Sequence, residues 1–196
     1  MARIPDQVEK SKEILMKSAI DVFGEKGYDK AKIADIVAKA GFSQRTFYIY
    51  FKNKESIYWQ ILNDWKTKLM QIFCIEKDNK DYQLAIQRKW EKIFEFMDEN
   101  AGQTKVVYHL NPYIGEIRKD LLAKLKEIMT YEKEVKNIRA DIDINFLSTS
   151  VLSIMEALTM QYLIENKRNV EFLSKQLAAF FAKGASDVNQ ERDLHE

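Results

Sequence analysis

Residues 33–55, IADIVAKAGFSQRTFYIYFKNKE, leave this chain few ways to fold. Ile33, Ile36, Val37 and Ala40 fall at i, i+3, i+4 and i+7, one apolar stripe on a short helix. Gly41 ends that helix at little cost, because a residue without Cβ enters the left-handed conformation that a C-terminal cap wants. Ser43 then stands as the N-cap of a second short helix whose buried side carries Phe47 and Phe51. Two short helices joined by one tight turn form a helix-turn-helix.

On the second helix Gln44, Arg45 and Thr46 occupy the first turn, and Tyr48 lies one turn beyond Gln44 on the same outer side. First-turn residues of such a helix reach base edges in the DNA major groove. The fork of Arg45 suits a guanine and the amide of Gln44 an adenine. Lys52 and Lys54 flank Asn53, the expected N-cap of the next helix, whose free N–H groups and positive dipole end suit a phosphate.

The same residues carry a resemblance. Gly27-Tyr28, Asp35-Ile36, Ala40-Gly41, Ser43, Thr46, Tyr48, Tyr50-Phe51-Lys52 and Lys54-Glu55 fall in the spacing of the tetracycline-repressor (TetR) family's DNA-binding domain, which this segment resembles over about the first 60 residues. The resemblance implies that Gln44, Arg45 and Tyr48 approach bases while Lys32, Thr46, Tyr50 and Lys54 hold phosphates. It also implies an all-helical fold of about nine helices, with a ligand pocket in the C-terminal bundle and a dimer formed by the last two long helices. Arg45, Ile49 and Ala31-Lys32 depart from residues common in that family, so the docking mode carries over but the operator sequence does not.

Charge is divided along the chain in the same sense. Residues 1–54 hold 11 Lys/Arg and 7 Asp/Glu, whereas residues 55–196 hold 20 and 23, so the basic surplus sits with the helix-turn-helix. With 46% apolar residues, 31% charged, six Gly and two Pro, the chain is globular and leans helical. No apolar run approaches the roughly 18 residues of a membrane span. The N-terminus lacks an apolar signal core, and a lone Cys74 makes no internal disulfide, which fits a reducing cytoplasm.

Helical spacing continues on both sides of the motif. A helix over 8–26 places Ile14, Leu15, Ala19, Val22 and Phe23 on one face and stops at Gly27. Ile57, Ile61, Trp65, Leu69 and Ile72 extend a long helix from Asn53, able to act as a lever between two domains. Further helices are expected to end near Asn100, over 103–110, from Ile114 until the charged stretch 131–139, over 144–165 from an Asp143 cap, and over 170–183. No strand-like alternation appears. The domains are therefore set at 1–54 for DNA binding, 55–184 for ligand binding and dimerisation, and 185–196 as a disordered tail.

His109 and His195 belong to no metal-ligand pattern, and there is no phosphate loop or nucleophile elbow, so neither a metal, a cofactor nor catalysis is expected. Cys74, among Ile72, Phe73 and Ile75, reads as packing before redox sensing. The pocket is expected among Trp90, Phe94, Met97, Tyr108, His109, Tyr113, Met129, Met155 and Tyr162, residues that fill cores first but also line adaptable apolar cavities. Within them, the Pro-broken segment 108–113 is expected as a wall or gate. One small helix-turn-helix reads few base pairs, so a two-fold homodimer on a palindromic operator is expected. Together with the resemblance, these features lead to the expectation of a cytoplasmic repressor released by a small, largely apolar effector. The rivals are a DNA-binding structural or cell-division factor without an inducer, and an enzyme with an appended DNA-binding domain.

Overall fold

A computed structural model of the chain describes residues 5–73, 82–109, 111–164 and 170–185, with the side chains of 5–7, 162–164, 182, 183 and 185 left undescribed. Nine α-helices run through the described residues: α1 (Pro5–Lys30), α2 (Ile33–Ala40), α3 (Gln44–Tyr50), α4 (Lys54–Ile72), α5 (Tyr82–Glu99), α6 (Ala101–Tyr108), α7 (Ile114–Glu134), α8 (Ile144–Leu158) and α9 (Val170–Ala185). The all-helical class is as expected. Two compact units share these helices, Met1–Thr67 with Asn100–Ile114, and Lys68–Glu99 with Gly115–Glu196. The first unit thus extends beyond residues 1–54, taking in most of α4 and all of α6.

Local chemistry sets the helix ends of the first unit. Gly27 (φ 73, ψ 166) breaks the regular course of α1 where a stop was expected, although a last turn follows it to Lys30. At the start of α2 the Lys32 N–H donates to the Asp35 carboxylate at 3.1 Å, and at its end Gly41 adopts φ 69, ψ 27. The Ser43 hydroxyl accepts from the Thr46 N–H at 3.2 Å, the expected N-cap of α3. Asn53 and Ser56 cap α4 reciprocally: the Ser56 N–H donates to Asn53 Oδ1 at 2.7 Å and the Asn53 N–H to Ser56 Oγ at 3.2 Å.

These ends aim one apolar face of each helix inward. Leu15, Ala19, Val22 and Phe23 of α1 meet Ile36 and Val37 of α2, Phe47 of α3, and Ile57, Ile61 and Trp65 of α4 in a buried core. Ile14, expected on the same face, is instead 46% exposed. Each large side chain buried this way stabilises by about 1.5–3 kcal/mol relative to exposure. Helix α6 joins this core through two polar pins. The Trp65 indole N–H donates to Thr104 Oγ1 at 3.0 Å, and the Tyr58 hydroxyl lies 3.4 Å from the Val106 carbonyl.

In the second unit α5 packs along α9, and Trp90 stacks between Phe94 (5.7 Å between ring centres) and Phe181 (5.9 Å). Helix α7 runs through the charged residues to Glu134, and Lys136 (φ 64) turns the chain so that the Asn137 N–H closes on the Glu132 carbonyl at 2.9 Å. The expected helix over 144–165 starts from its Asp143 cap but does not run regularly to the end. After Leu158 it widens into a π-helical turn, Thr159–Ile164. The buried Thr159 hydroxyl bonds back to the Met155 carbonyl at 2.7 Å and meets Met97 Sδ at 3.1 Å, a back-bond of the kind that bends helices. Of the tail expected to be disordered, 185–196, Ala185 is the last residue of α9 and the remainder lies outside the described residues.

Candidate DNA-binding surface and ligand cavity

Burying Phe47 and Phe51 fixes which side of α3 faces outward. Gln44, Arg45, Tyr48 and Ile49 are exposed there, whereas Phe47 and Phe51 are 0% and 4% exposed. The Ser43 and Thr46 hydroxyls sit 3.0 Å apart at the helix start, so part of their hydrogen-bonding capacity is used within the turn. Lys32 and Lys52 are exposed. Other lysines of the unit are tied to carboxylates: Lys39 to Glu25 (2.9 Å) and Asp21 (3.4 Å), and Lys26 to Asp35 (3.0 Å). The hydrogen bond from Lys26, then that from the Lys32 backbone, holds the Asp35 carboxyl below its ordinary range.

Two residues expected to hold phosphates stand differently. Tyr50 is half-buried rather than exposed, and its hydroxyl is buried without a hydrogen-bond partner among the described residues. The Lys54 ammonium turns inward, donating to the carbonyls of Tyr28 (2.7 Å), Ala31 (3.1 Å) and, more weakly, Asp29 (3.4 Å), 4.3 Å from the centre of the Tyr28 ring. An ammonium has three hydrogens, and here all three have carbonyls to serve. In this conformation Lys54 neutralises the negative end of α1 rather than presenting a charge to a phosphate.

The segment expected as a pocket wall, 108–113, belongs to the same unit. Asn111 donates from Nδ2 to the Val107 carbonyl at 3.0 Å and accepts the Tyr113 N–H at 2.8 Å, which sets the turn. Tyr113 then packs on Trp59 (4.7 Å), Tyr28 (5.7 Å) and Tyr58 (6.0 Å), and its hydroxyl donates to Glu55 Oε1 at 3.0 Å. The bond shared with the Tyr28 hydroxyl, then burial, then Glu55 push the Tyr113 phenol well above its usual range. Tyr108 stands edge-on to Trp65 at 5.6 Å, and His109 is exposed. This segment is a packed aromatic base for α1 and α4.

The cavity lies within the second unit. It has a volume of about 260 Å³ and is walled by Ile86, Trp90, Ile93, Leu125, Ile128, Met129, Leu147, Val151, Met155 and Phe181, with Tyr82, Lys89, Tyr131, Glu132 and Asn137 as polar members. Trp90, Met129 and Met155 were expected there. Phe94 and Met97 are instead completely buried in the surrounding core, while Tyr108, His109 and Tyr113 sit in the other unit. The Tyr162 side chain lies outside the described residues. Much of the wall is aliphatic, from Ile86, Ile93, Leu125, Ile128, Leu147 and Val151, which Met and aromatic content does not mark in the sequence.

One polar edge of the cavity is preorganised. Glu132 Oε2 accepts from Asn137 Nδ2 at 2.7 Å, and burial first, then the nearby Glu132 charge, push the Tyr82 phenol upward so that it stays neutral. Among the described residues no three His, Cys, Asp or Glu side chains cluster to hold a metal ion, and no helix is long and apolar enough to cross a membrane. Cys74 and His195 lie outside the described residues.

A helix-turn-helix with an exposed Gln44/Arg45/Tyr48 face, followed by a helical unit that holds an apolar cavity, defines a DNA-binding transcriptional regulator. Residues 15–61 match the family described as bacterial regulatory proteins, tetR family, so the helix-turn-helix domain is of that family. It is 28% identical over 179 residues to the HTH-type transcriptional regulator YdgC of Bacillus subtilis (strain 168), covering 89% of this chain and 92% of that protein. Over 86 residues it is 29% identical to the biofilm operon icaADBC negative transcriptional regulator IcaR of Staphylococcus aureus (strain Newman), covering 44% and 45%. The fold also matches the transcriptional regulator FadR of Bacillus subtilis in complex with stearoyl-CoA, with a TM-score of 0.70 and 20% identity over 88% of this chain and 98% of that one.

Proposed function

We propose that this regulator is a cytoplasmic repressor that binds a palindromic operator as a homodimer and is released by a small, largely apolar effector held in the cavity of its second unit. The observation that carries the reading is the 260 Å³ cavity itself, walled mostly by aliphatic and aromatic side chains. A fully packed bundle would have favoured a structural factor without an inducer. The negative regulator IcaR supports the direction of control, and the stearoyl-CoA complex of FadR supports an effector with a large apolar part.

Dimerisation is supported by apolar side chains on the last two helices that the single chain leaves open. Phe146 is 71% exposed, Phe172 50% and Phe180 63%, and a second copy laid against α8 and α9 would cover them. Helix α4 is continuous between the two units, making it the element through which cavity occupancy would reach the recognition helices. Operator half-sites have fixed spacing, so a change of a few Å between the two recognition helices loses contacts at both. The effector must therefore bind the DNA-incompetent conformer more tightly; equal affinity for both shifts nothing.

Selection of bound DNA from a random pool, repeated with candidate apolar ligands, tests the reading. Recovery of a two-fold symmetric sequence that is lost when one ligand is added supports it. A symmetric sequence retained with every ligand tested, together with a cavity that takes up none of them in native mass spectrometry, would leave the inducer-free factor as the better account.

A further inference from the structure

We propose that Ile49 is a specificity-determining residue, packing on the 5-methyl group of a thymine next to the base read by Arg45. The inference rests on α3 docking in the major groove and names what one residue of that helix reads. Among the described residues of the first unit, the exposed large hydrophobic side chains are Ile14, Tyr48 and Ile49, and two of these three stand side by side on α3. Ile49 is 56% exposed on a helix of only seven residues, although the neighbouring Phe47 and Phe51 show that this helix buries its apolar side chains well.

Helical spacing makes the exposed residues into two parallel strips. Arg45 and Ile49 are four apart, as are Gln44 and Tyr48, so the guanidinium and the isoleucine lie on one line along the outer face. The chemistry of each member restricts what it can read. Arg45 forks onto two acceptors, Gln44 pairs a donor with an acceptor, and Tyr48 ends in a hydroxyl. Ile49 has no hydrogen-bonding atom in its side chain. Among the four bases the apolar feature of the major-groove edge is the thymine methyl, so an isoleucine there selects thymine. A β-branched side chain in a helix is already confined at χ1, so little rotamer freedom is lost on contact.

The test uses the full-length protein and an operator taken from the random-pool selection. Each thymine of a half-site is replaced in turn by deoxyuridine, which removes the methyl group and leaves base pairing unchanged. Wild type should lose about fourfold in affinity per half-site at one thymine, the worth of roughly one buried methyl group. Ile49→Ala should bind the thymine and deoxyuridine forms equally at that position, while Ile49→Val retains the preference. Methyl sensitivity that persists in Ile49→Ala, or its absence at every thymine of a DNA that wild type binds well, overturns the inference and leaves the docking of α3 intact. Failure to select any DNA overturns the docking reading and this inference with it.

Discussion

The Lys54 ammonium donates to the Tyr28 carbonyl at 2.7 Å and lies 4.3 Å from the centre of the Tyr28 ring, so the first residue of α4 closes the end of α1. Charge-assisted bonds of this kind contribute about 1.5–3 kcal/mol when partly shielded. Lys54→Ala is therefore expected to lower stability by about 1–3 kcal/mol in denaturant titration, leaving three carbonyls without their cation. DNA affinity measured on the folded fraction should keep its salt dependence. If the salt slope instead falls by about one unit with stability unchanged, Lys54 turns outward onto a phosphate when DNA binds.

Arg45 and Lys52 are both exposed, but their positions predict different losses. Arg45 stands in the first turn of α3, where Arg45→Ala should cost roughly 1–3 kcal/mol at one operator position and relax the preference there. Lys52 follows α3 and precedes the Asn53 cap of α4, so Lys52→Ala should weaken all sequences alike and reduce the salt slope by about one unit. Competition titrations against single-base operator variants at several salt concentrations separate these patterns. Uniform weakening by Arg45→Ala would place it on the backbone.

What the sequence made legible was local. Gly41, Ser43, Asn53 and Asp143 act on residues within four or five positions, and the helix ends they imply are present. Contacts between distant segments were not legible. Nothing near Lys54 announces carbonyls 23 to 26 residues away, and nothing near Tyr113 announces Glu55, 58 residues back. The cavity shows the same limit. Periodicity tells which face of α5 turns inward, but whether Trp90 meets space and Phe94 meets atoms depends on α7, α8 and α9, whose placement no spacing encodes.

Asp35 gives the start of α2 a dependence on pH. Its carboxylate takes a hydrogen bond from Lys26 and one from the Lys32 backbone N–H, which together hold its pKa below the ordinary 3.8. A carboxyl whose folded pKa is depressed stabilises the folded state fully above its unfolded value and loses that contribution as pH falls through the folded one. Asp35→Asn should thus be less stable than wild type at neutral pH, and the difference should shrink as pH is lowered below 3.8. Denaturant midpoints of the two proteins across that range provide the check. A difference that stays constant into strong acid would assign the effect to side-chain shape rather than charge.

Trp90 both walls the cavity and stacks between Phe94 and Phe181, so enlarging the cavity and weakening the unit are inseparable at that position. Trp90→Ala should cost about 3–5 kcal/mol, as truncation of a packed aromatic residue does, and loses the Phe181 stack that helps hold α9 on α5. Ala85 offers a cleaner change. It lines the cavity from α5 and is only half-buried, so Ala85→Phe adds a ring with room to turn toward the open space instead of forcing a closed core apart. The expected result is a protein that keeps its thermal stability within a few degrees, binds operator with wild-type affinity, and no longer responds to the effector. Effector titrations followed by operator release distinguish this from a general loss of folding. An Ala85→Phe protein that still releases DNA at wild-type effector concentration would show that the effector binds elsewhere.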